Sequence, residues 1–223
     1  MSVFAISDLH LPLGIEKPMD VFGAGWENYV ERTEKNWRSV ISENDTVLIG
    51  GDVSWAMYLE EAEKDFDFIH SLPGKKIITK GNHDYWWTTA PKLSKFKEEK
   101  GFDDIIFLQN NAVLCEGAAI CGSRGWRSPF EKNFTEEDRK IYERELIRLE
   151  LSLKEGKKLS YKIIAMVHYP PDFAVDMLLD EYGTEICVYG HLHGAAAWEK
   201  RSDKERNILT SADFLKFMPK KIL

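Results

Sequence analysis

Most of the histidines in this chain stand in four short motifs, and each motif follows an apolar run. The motifs are Asp8-Leu9-His10, Gly81-Asn82-His83-Asp84, the MVHYPP stretch around His168, and Gly190-His191-Leu192-His193, with a further carboxylate in Gly51-Asp52. Imidazole, carboxylate and amide groups together suit divalent manganese, iron, zinc or cobalt, and no motif contains a cysteine. These patterns predict a metal site assembled from distant parts of the chain.

The number of candidate ligands exceeds what a single ion requires. A catalytic site of the zinc type typically uses three protein ligands and a water molecule. Two ions that share one bridging ligand therefore fit the pattern better. The candidate ligands are Asp8, His10, Asp52, Asn82, His168, His191 and His193.

Short apolar runs predict the strands that position these groups. Several runs are continuous rather than alternating, which is typical of strands covered on both faces. Spacings of three and four between the runs predict helices, most clearly over residues 136–155, with Thr135 and Asp138 as a capping box and Gly156 as the stop. This alternation indicates an α/β sandwich. The predicted strands are Val3–Ser7, Thr46–Gly50, Lys76–Lys80, Ile105–Gln109, Ala118–Gly122, Ile163–His168 and Glu185–Gly190.

The motifs fall at or just after the C-terminal ends of these strands. Open α/β sheets place their sites at that edge, so we expect five loops to converge on one point. Residues 11–26 form a long connection at the same edge, and residues 125–134 form a second variable loop. We expect both loops to flank a substrate pocket.

Length and charge restrict the class of protein. A chain of 223 residues suits a single domain over residues 1–223. The formal net charge of −7 disfavours nucleic acid as a partner, because binding needs a basic face, and leaves a small phosphorylated substrate. No secretory signal or membrane-spanning run is visible, and Cys115, Cys121 and Cys187 are expected to be buried thiols, so we expect a cytoplasmic location. The oligomeric state stays open.

In these motifs the chain resembles the calcineurin-like metallophosphoesterase family, whose signature reads D-x-H, G-D, G-N-H-D/E, H and G-H-x-H. All five blocks occur in order between residues 8 and 193. The resemblance implies a four-layer α-β-β-α sandwich of two stacked mixed sheets flanked by helices, with a dinuclear metal centre. It further implies one ion held by Asp8, His10 and His193, a second held by Asn82, His168 and His191, and Asp52 as the bridge.

The same resemblance implies a hydrolase that cleaves a phosphodiester or phosphomonoester. A hydroxide shared by the two ions would attack phosphorus in line, and His83, oriented by Asp84, would stabilise the developing charge or protonate the leaving oxygen. The protein-phosphatase branch instead reads G-D-x-x-D-R-G followed by G-N-H-E, whereas Asp52 is followed here by Val53-Ser54-Trp55. Phosphoprotein substrates are therefore the less favoured alternative.

Other residues suggest how a substrate is recognised. Arg124 and Arg127 are candidates for a clamp on a second phosphate or a carboxylate. A non-catalytic, metal-binding scaffold of the same fold is the main alternative to an enzyme, but the retention of His83 and of every ligand favours catalysis. An aromatic face could stack on a nucleotide-like ring. Its candidate members are Trp55, Trp86, Trp87 and Trp126.

Overall fold

Ten strands lie in the part of the chain that the computed structural model describes, which is residues 1–17, 19–202 and 205–223. The strands form two five-stranded mixed sheets, in the orders β10-β1-β2-β3-β4 and β5-β6-β7-β8-β9. All neighbours pair in parallel except β10 with β1 and β5 with β6. The strands are β1 Val3–Ile6, β2 Thr46–Ile49, β3 Lys75–Ile78, β4 Ile105–Phe107, β5 Ala112–Cys115, β6 Ala118–Ser123, β7 Ile163–Val167, β8 Thr184–Tyr189, β9 Asn207–Leu209 and β10 Lys220–Lys221.

Helices connect most of the parallel strands. Two short 3-10 helices, Met19–Phe22 and Ala24–Trp26, lie within the predicted 11–26 connection, of which Pro18 is outside the described residues. Within the described ranges, no helix has the length and apolar character needed to cross a membrane. The α-helices are α1 Tyr29–Val40, α2 Glu63–Ser71, α3 Ala90–Lys100, α4 Glu136–Leu159, α5 Phe173–Glu181 and α6 Gly194–Glu199.

Three separate apolar cores show that the molecule has four layers. Successive residues of a strand point to opposite faces, so each strand contributes to two cores. Phe4 of β1 shares a core with α1 and α2, whereas its neighbour Ala5 shares the core between the sheets with Met166 of β7. Ala165 of β7 points the other way and shares the third core with α4. The predicted α-β-β-α sandwich is confirmed.

Helix α4 begins as predicted but ends later. The Thr135 hydroxyl accepts the N–H of Asp138, and the Asp138 carboxylate accepts the N–H of Thr135, which completes the capping box. Gly156 does not stop the helix, which continues to Leu159. A Cβ at this buried glycine would overlap the sulfur of Cys121 in β6, so Gly156 lets the helix lie close to the sheet. All three cysteines are buried thiols, as predicted.

The two sheets are joined where the parallel strands end. The N–H of Ser7, just after β1, donates to the carbonyl of Thr210 at 2.8 Å, and the N–H of Ala212 donates back to Ser7 at 2.9 Å. This pairing links the first sheet to the segment that follows β9. It brings the loops that leave both sheets to one edge.

A buried carboxylate fixes the start of the 11–26 connection. Asp65 in α2 accepts the N–H of Leu13 at 2.7 Å and the hydroxyl of Ser54. Burial raises the pKa of this carboxyl to about 6, although both hydrogen bonds act to lower it. Asp65 thus ties the connection to the loop that carries Asp52.

The raised pKa of Asp65 predicts a pH-dependent stability. The folded state holds the proton of the Asp65 carboxyl more tightly than the unfolded chain does. The contribution of Asp65 to the free energy of unfolding is therefore greatest below about pH 4 and falls as the pH rises through about 6. Asp65→Asn keeps a neutral hydrogen-bond acceptor at this position. It should remove this pH-dependent fall in the free energy of unfolding, which amounts to at most about 3 kcal/mol. Urea unfolding between pH 4.5 and 7.5 measures it. Asp67→Asn, exposed on the same helix, is the control, and equal pH slopes in Asp65→Asn and the wild type would refute the assignment.

Candidate metal centre

The structure brings the seven predicted ligands together at one edge of the two sheets. Each motif follows the end of a parallel strand: β1, β2 and β3 in the first sheet, and β7 and β8 in the second. The N–H of His191 donates to the Asp8 carboxylate at 3.0 Å, which joins loops from different sheets. The expected convergence of five loops is therefore present.

Asp8, His10 and His193 form the first group of donors. One ligand atom from each lies within 4.8 Å of the others. The Nε2 of His193 is 3.4 Å from Asp8, which is fully buried. The Nδ1 of His10 is also buried, and it has no hydrogen-bond partner among the described residues. Its other ring nitrogen, Nε2, lies 3.9 Å from the Oδ2 of Asp52, another candidate ligand, and is therefore the nitrogen placed to bind metal.

Asn82, His168 and His191 form the second group. The side-chain oxygen of Asn82 lies 2.7 Å from the Nε2 of His168 and 2.8 Å from the Nδ1 of His191. The Nδ1 of His168 lies 3.0 Å from the carbonyl oxygen of Gly50, which can only accept, so this nitrogen carries the hydrogen. The Nε2 of His168 is therefore the nitrogen that can bind a metal ion once it has lost its hydrogen.

Asp52 lies between the two groups. Its Oδ2 is 3.3 Å from the Nε2 of His168 and 3.9 Å from the Nε2 of His10. Asp8, Asp52 and His168 also offer three ligand atoms within 4.8 Å of one another. Carboxylate and imidazole donors at this spacing fit a divalent metal ion, so the residues of this edge could hold metal.

Four of the candidate ligands have left-handed backbone conformations. The φ angles are 57° at Asp8, 47° at His10, 51° at Asp52 and 69° at His191. Such a conformation is uncommon outside glycine, and it is maintained only where the surrounding structure imposes it. These residues are therefore held in place by the packing of the loops rather than by local preference.

The glycines that precede three motifs are required for different reasons. Gly51, with φ of 88°, has a backbone conformation that favours glycine. Gly81 and Gly190 have ordinary angles, but a Cβ on Gly81 would overlap the Asp52 carboxylate and one on Gly190 would overlap that of Asp8. In these two motifs glycine permits close approach of a carboxylate.

Asp84 joins two ligand loops. We had expected it to orient His83, but it does not. Its buried carboxylate accepts the N–H groups of Gly81, Asp52 and Val53 at 2.7–2.8 Å, and the indole N–H of Trp86 at 3.0 Å. Burial, followed by the nearby charge of Asp52, raises its pKa to about 6. Asp84 is thus a positioning residue for the two loops.

His83 lies at the mouth of the site. Its backbone N–H donates to the Oδ1 of Asp52 at 2.7 Å, and its ring centroid is 4.8 Å from that of Trp55. Burial lowers the pKa of this imidazole below its ordinary value. The ring is half-exposed, so it can reach a bound ligand.

A cleft of about 470 Å³ opens beside these groups, and we call it the histidine cleft. Met19 and Trp26 confirm that the 11–26 connection forms a wall. The described residues of the 125–134 loop do not line it, so that loop is not the second wall we expected. The lining comprises His10, Met19, Trp26, Asp52, Trp55, His83, His191, His193, Gly194 and Asp213.

Of the four candidate tryptophans only Trp55 lines the histidine cleft, so together they do not form the expected stacking face. Trp55 is buried, its ring is stacked on His10 with centroids 4.5 Å apart, and the Lys17 ammonium lies 3.5 Å from its centre. Trp86 is buried and bonded to Asp84. Both rings pack in the same apolar core. Trp87 and Trp126 do not line the histidine cleft.

The two candidate arginines also lie outside the lining of the histidine cleft. Arg124 pairs with Glu145 at 3.3 Å, and its guanidinium lies 4.3 Å from the centre of the Trp126 ring. Arg127 donates to the carbonyl of Lys132 at 2.9 Å and lies 3.4 Å from Glu131. A substrate role for either arginine stays a prediction.

Asp213 is a residue of the site that the sequence motifs do not reveal. Its Oδ1 lies 2.9 Å from the Nδ1 of His193, and its Oδ2 accepts the N–H of Gly194 at 3.0 Å. A carboxylate behind a histidine is the usual partner of a metal-binding imidazole. No pattern marks Asp213, which follows the last motif by 20 residues.

The four ligand histidines have contrasting affinities for protons. Burial lowers the pKa of His10 and of His191 to about 4. Burial also opposes the charge on His168, but Asp52 outweighs it and raises that pKa to about 9. For His193, hydrogen bonds to Asp213 and Asp8 outweigh burial and raise the pKa to about 10. Without metal, His168 and His193 therefore carry protons at neutral pH.

Comparisons with known proteins agree with this geometry. Residues 1–195 match the sequence pattern of the calcineurin-like phosphoesterase family. No curated protein sequence matches the chain at a significant level. Among solved structures, phosphopantetheinyl hydrolase from Mycobacterium tuberculosis is similar over 100% of this chain and 95% of its own, with a TM-score of 0.55 and 15% identity.

Two further solved structures share the fold. A protein of unknown function from Aquifex aeolicus is similar over 99% of this chain and 95% of its own, with a TM-score of 0.55 and 15% identity. GAP50, the anchor in the inner membrane complex of Plasmodium, is similar over 96% of this chain and 72% of its own, with a TM-score of 0.50 and 12% identity. At these identities the likeness shows the fold alone.

The protonated histidines predict that metal binding depends on pH. A ligand imidazole must be neutral, so a metal ion has to displace the protons held by His168 and His193. We expect binding of Mn²⁺ to release about two protons near pH 7, and its affinity to rise as the pH approaches 9. Titration calorimetry in two buffers of different ionisation enthalpy measures the release. Binding without proton release would contradict the assignment of these ligands.

The contact between Asp213 and His193 predicts a loss of metal affinity in Asp213→Asn. The amide cannot hold the imidazole as a carboxylate does, so we expect Mn²⁺ to bind about 10- to 100-fold more weakly. Calorimetric titration of metal-free protein checks this. Asp103→Asn, at an exposed position outside the site, is the matched control. Equal affinities in Asp213→Asn and the wild type would remove Asp213 from the site.

Proposed function

This chain belongs to the calcineurin-like phosphoesterase family, and from that premise we propose that it is a metal-dependent phosphohydrolase acting on a small phosphomonoester or phosphodiester. We also propose that residues 1–223 form one domain. The observation that carries the proposed function is the position of Asp52 between two groups of metal-type donors. A scaffold would not require this arrangement.

Two divalent ions are the proposed cofactors. Asp8, His10 and His193 would hold one ion, Asn82, His168 and His191 would hold the other, and Asp52 would contact both. The clustering of Asp8, His10 and His193 and the position of Asn82 between two imidazoles support this division. When bound, the ions would acidify water and offset the charge of the phosphoryl group.

The chain's own residues would bind and orient the ester. His83 is held against Asp52 by its backbone N–H, and its half-exposed ring lines the histidine cleft. This imidazole can donate a hydrogen bond to a phosphoryl oxygen, and in its protonated form it can pass a proton to the leaving oxygen. Met19, Trp26 and Trp55 supply apolar walls that restrict water. Asp84 keeps the loops that carry His83 and Asp52 in register by accepting the backbone N–H groups of Gly81 and Asp52.

The dimensions of the cleft favour a small substrate. A volume of about 470 Å³ lies within the range of about 300–1,000 Å³ that is usual for small ligands. Trp26 and Trp55 line the cleft and are placed to contact an aromatic group of the substrate, and the exposed ring of Tyr85 lies 6.1 Å from that of His83.

Hydrolysis of model esters tests the function. We expect Mn²⁺-loaded protein to cleave bis-p-nitrophenyl phosphate, p-nitrophenyl phosphate or both, and the ratio of rates gives the diester or monoester preference. Asp52→Asn should abolish turnover, because this carboxylate lies between both groups of ligands. His83→Gln should lower kcat by about 10²- to 10⁴-fold, as expected for loss of a proton donor.

Metal content, measured by elemental analysis, separates the two variants. His83→Gln should retain the metal of the wild type, whereas Asp52→Asn should lose part of it. Metal-loaded wild-type protein that cleaves neither ester, nor a panel of natural phosphate esters, would favour the scaffold alternative over the enzyme.

A further inference from the structure

A second cavity of about 470 Å³ lies at the same edge of the sheets, and we call it the basic cavity. It is formed by residues that follow β3, β4 and β6 and by the first half of α4. Among the described residues, its lining and that of the histidine cleft have no member in common. The basic cavity is therefore a separate space of a size that suits a small molecule.

The charge of the basic cavity is opposite to that of the whole protein. It is lined by Lys80, Arg124, Arg144 and Arg148, and its one described acidic residue is Glu145. Four positive charges and one negative charge leave a net charge of +3, whereas the chain as a whole has a formal charge of −7. Such a concentration of positive charge within a concave surface attracts anions.

Glu145 organises the arginines without neutralising them. This carboxylate is only 3% exposed, and its Oε1 lies 3.3 Å from Arg124 and 2.6 Å from Arg148. One carboxylate thus holds two guanidinium groups in fixed positions. The planar guanidinium presents several N–H donors, so groups held in this way retain donors for a second anion.

Donors in the basic cavity lack partners. The Nε of Arg124 is buried and has no hydrogen-bond partner among the described residues. The ammonium group of Lys80 forms neither a hydrogen bond nor an ion pair with any described residue, although the side chain is only half-exposed. The buried Nε of Arg124 is out of reach of a ligand, but an anion bound in the cavity would pair with the Lys80 ammonium.

The start of α3 adds to the positive potential. Thr89 lines the basic cavity directly before Ala90, the first residue of this 11-residue helix, and its side chain makes no capping hydrogen bond. The first N–H groups of a helix and the positive end of its dipole favour anions.

We propose that the basic cavity is an anion site in its own right, which binds a small molecule carrying several phosphoryl groups. Lys80 and the guanidinium groups of Arg124 and Arg144 contact the phosphoryl oxygens, and Glu145 positions Arg124. Arginine and lysine form charge-assisted hydrogen bonds to phosphate, and several such cations together select a multiply charged anion. Binding requires no metal, because none of the candidate metal ligands lines this cavity.

Binding of tripolyphosphate to metal-free protein tests the proposal. Calorimetry in the presence of EDTA should show saturable binding of one anion, which weakens as salt is raised from 50 to 200 mM. Lys80→Met and Arg144→Met each remove one charge from the cavity, and each should weaken binding at least about tenfold. Lys158→Met removes one exposed, ion-paired charge from α4, the helix that carries Arg144. This variant should bind tripolyphosphate as the wild type does.

Thermal unfolding without the anion checks that each variant is folded. Absence of saturable binding by the wild type would overturn the proposal. Binding that Lys80→Met and Arg144→Met leave unchanged would place the anion elsewhere, including the histidine cleft, and would overturn it equally. Because metal is absent throughout, the outcome does not depend on whether the protein hydrolyses phosphate esters.

Discussion

The burial of two carboxylates, Asp8 and Asp52, is the constraint on which this structure depends. Removing a carboxylate from water costs several kcal/mol unless hydrogen-bond donors and positive charge replace the solvent. Here, the Ser7 hydroxyl and the N–H of His191 donate to Asp8, and the N–H of His83 donates to Asp52. These donors reach the carboxylates only if loops from both sheets turn sharply inward. The left-handed ligand residues and the closely packed glycines follow from that requirement.

The sequence predicted the parts of the molecule that have strong local patterns. Buried strands appear as continuous apolar runs, and metal-type residues at their ends indicate one functional edge. The four-layer fold and the convergence of the ligand loops could therefore be predicted. The strands that were missed, β5, β9 and β10, all lie at sheet edges, and β9 and β10 are too short to form a continuous apolar run. The role of Gly156 was missed because contact with another element decides it.

The remaining features of the site depend on distances that no local pattern records. Asp213 reaches His193 only because Ser7 pairs with the segment after β9. Asp84 was expected to act on its neighbour His83, but its hydrogen bonds run to backbone groups brought close by folding. The basic cavity likewise combines residues from two sheets and one helix. Trp86 is buried in packing, whereas Trp55, although also buried, lines the histidine cleft.

The pairing of β1 and Ser7 with residues far along the chain constrains the order in which the protein can fold. Phe4 pairs with Lys221, and Ser7 pairs with Ser211, so the first strand acquires these neighbours only after more than 200 further residues have been synthesised. Contacts of such long sequence separation slow folding. During translation, the nascent chain exposes an incomplete sheet edge, which is prone to aggregate. All the candidate metal-binding motifs can therefore be synthesised before the site exists. The site assembles late in folding.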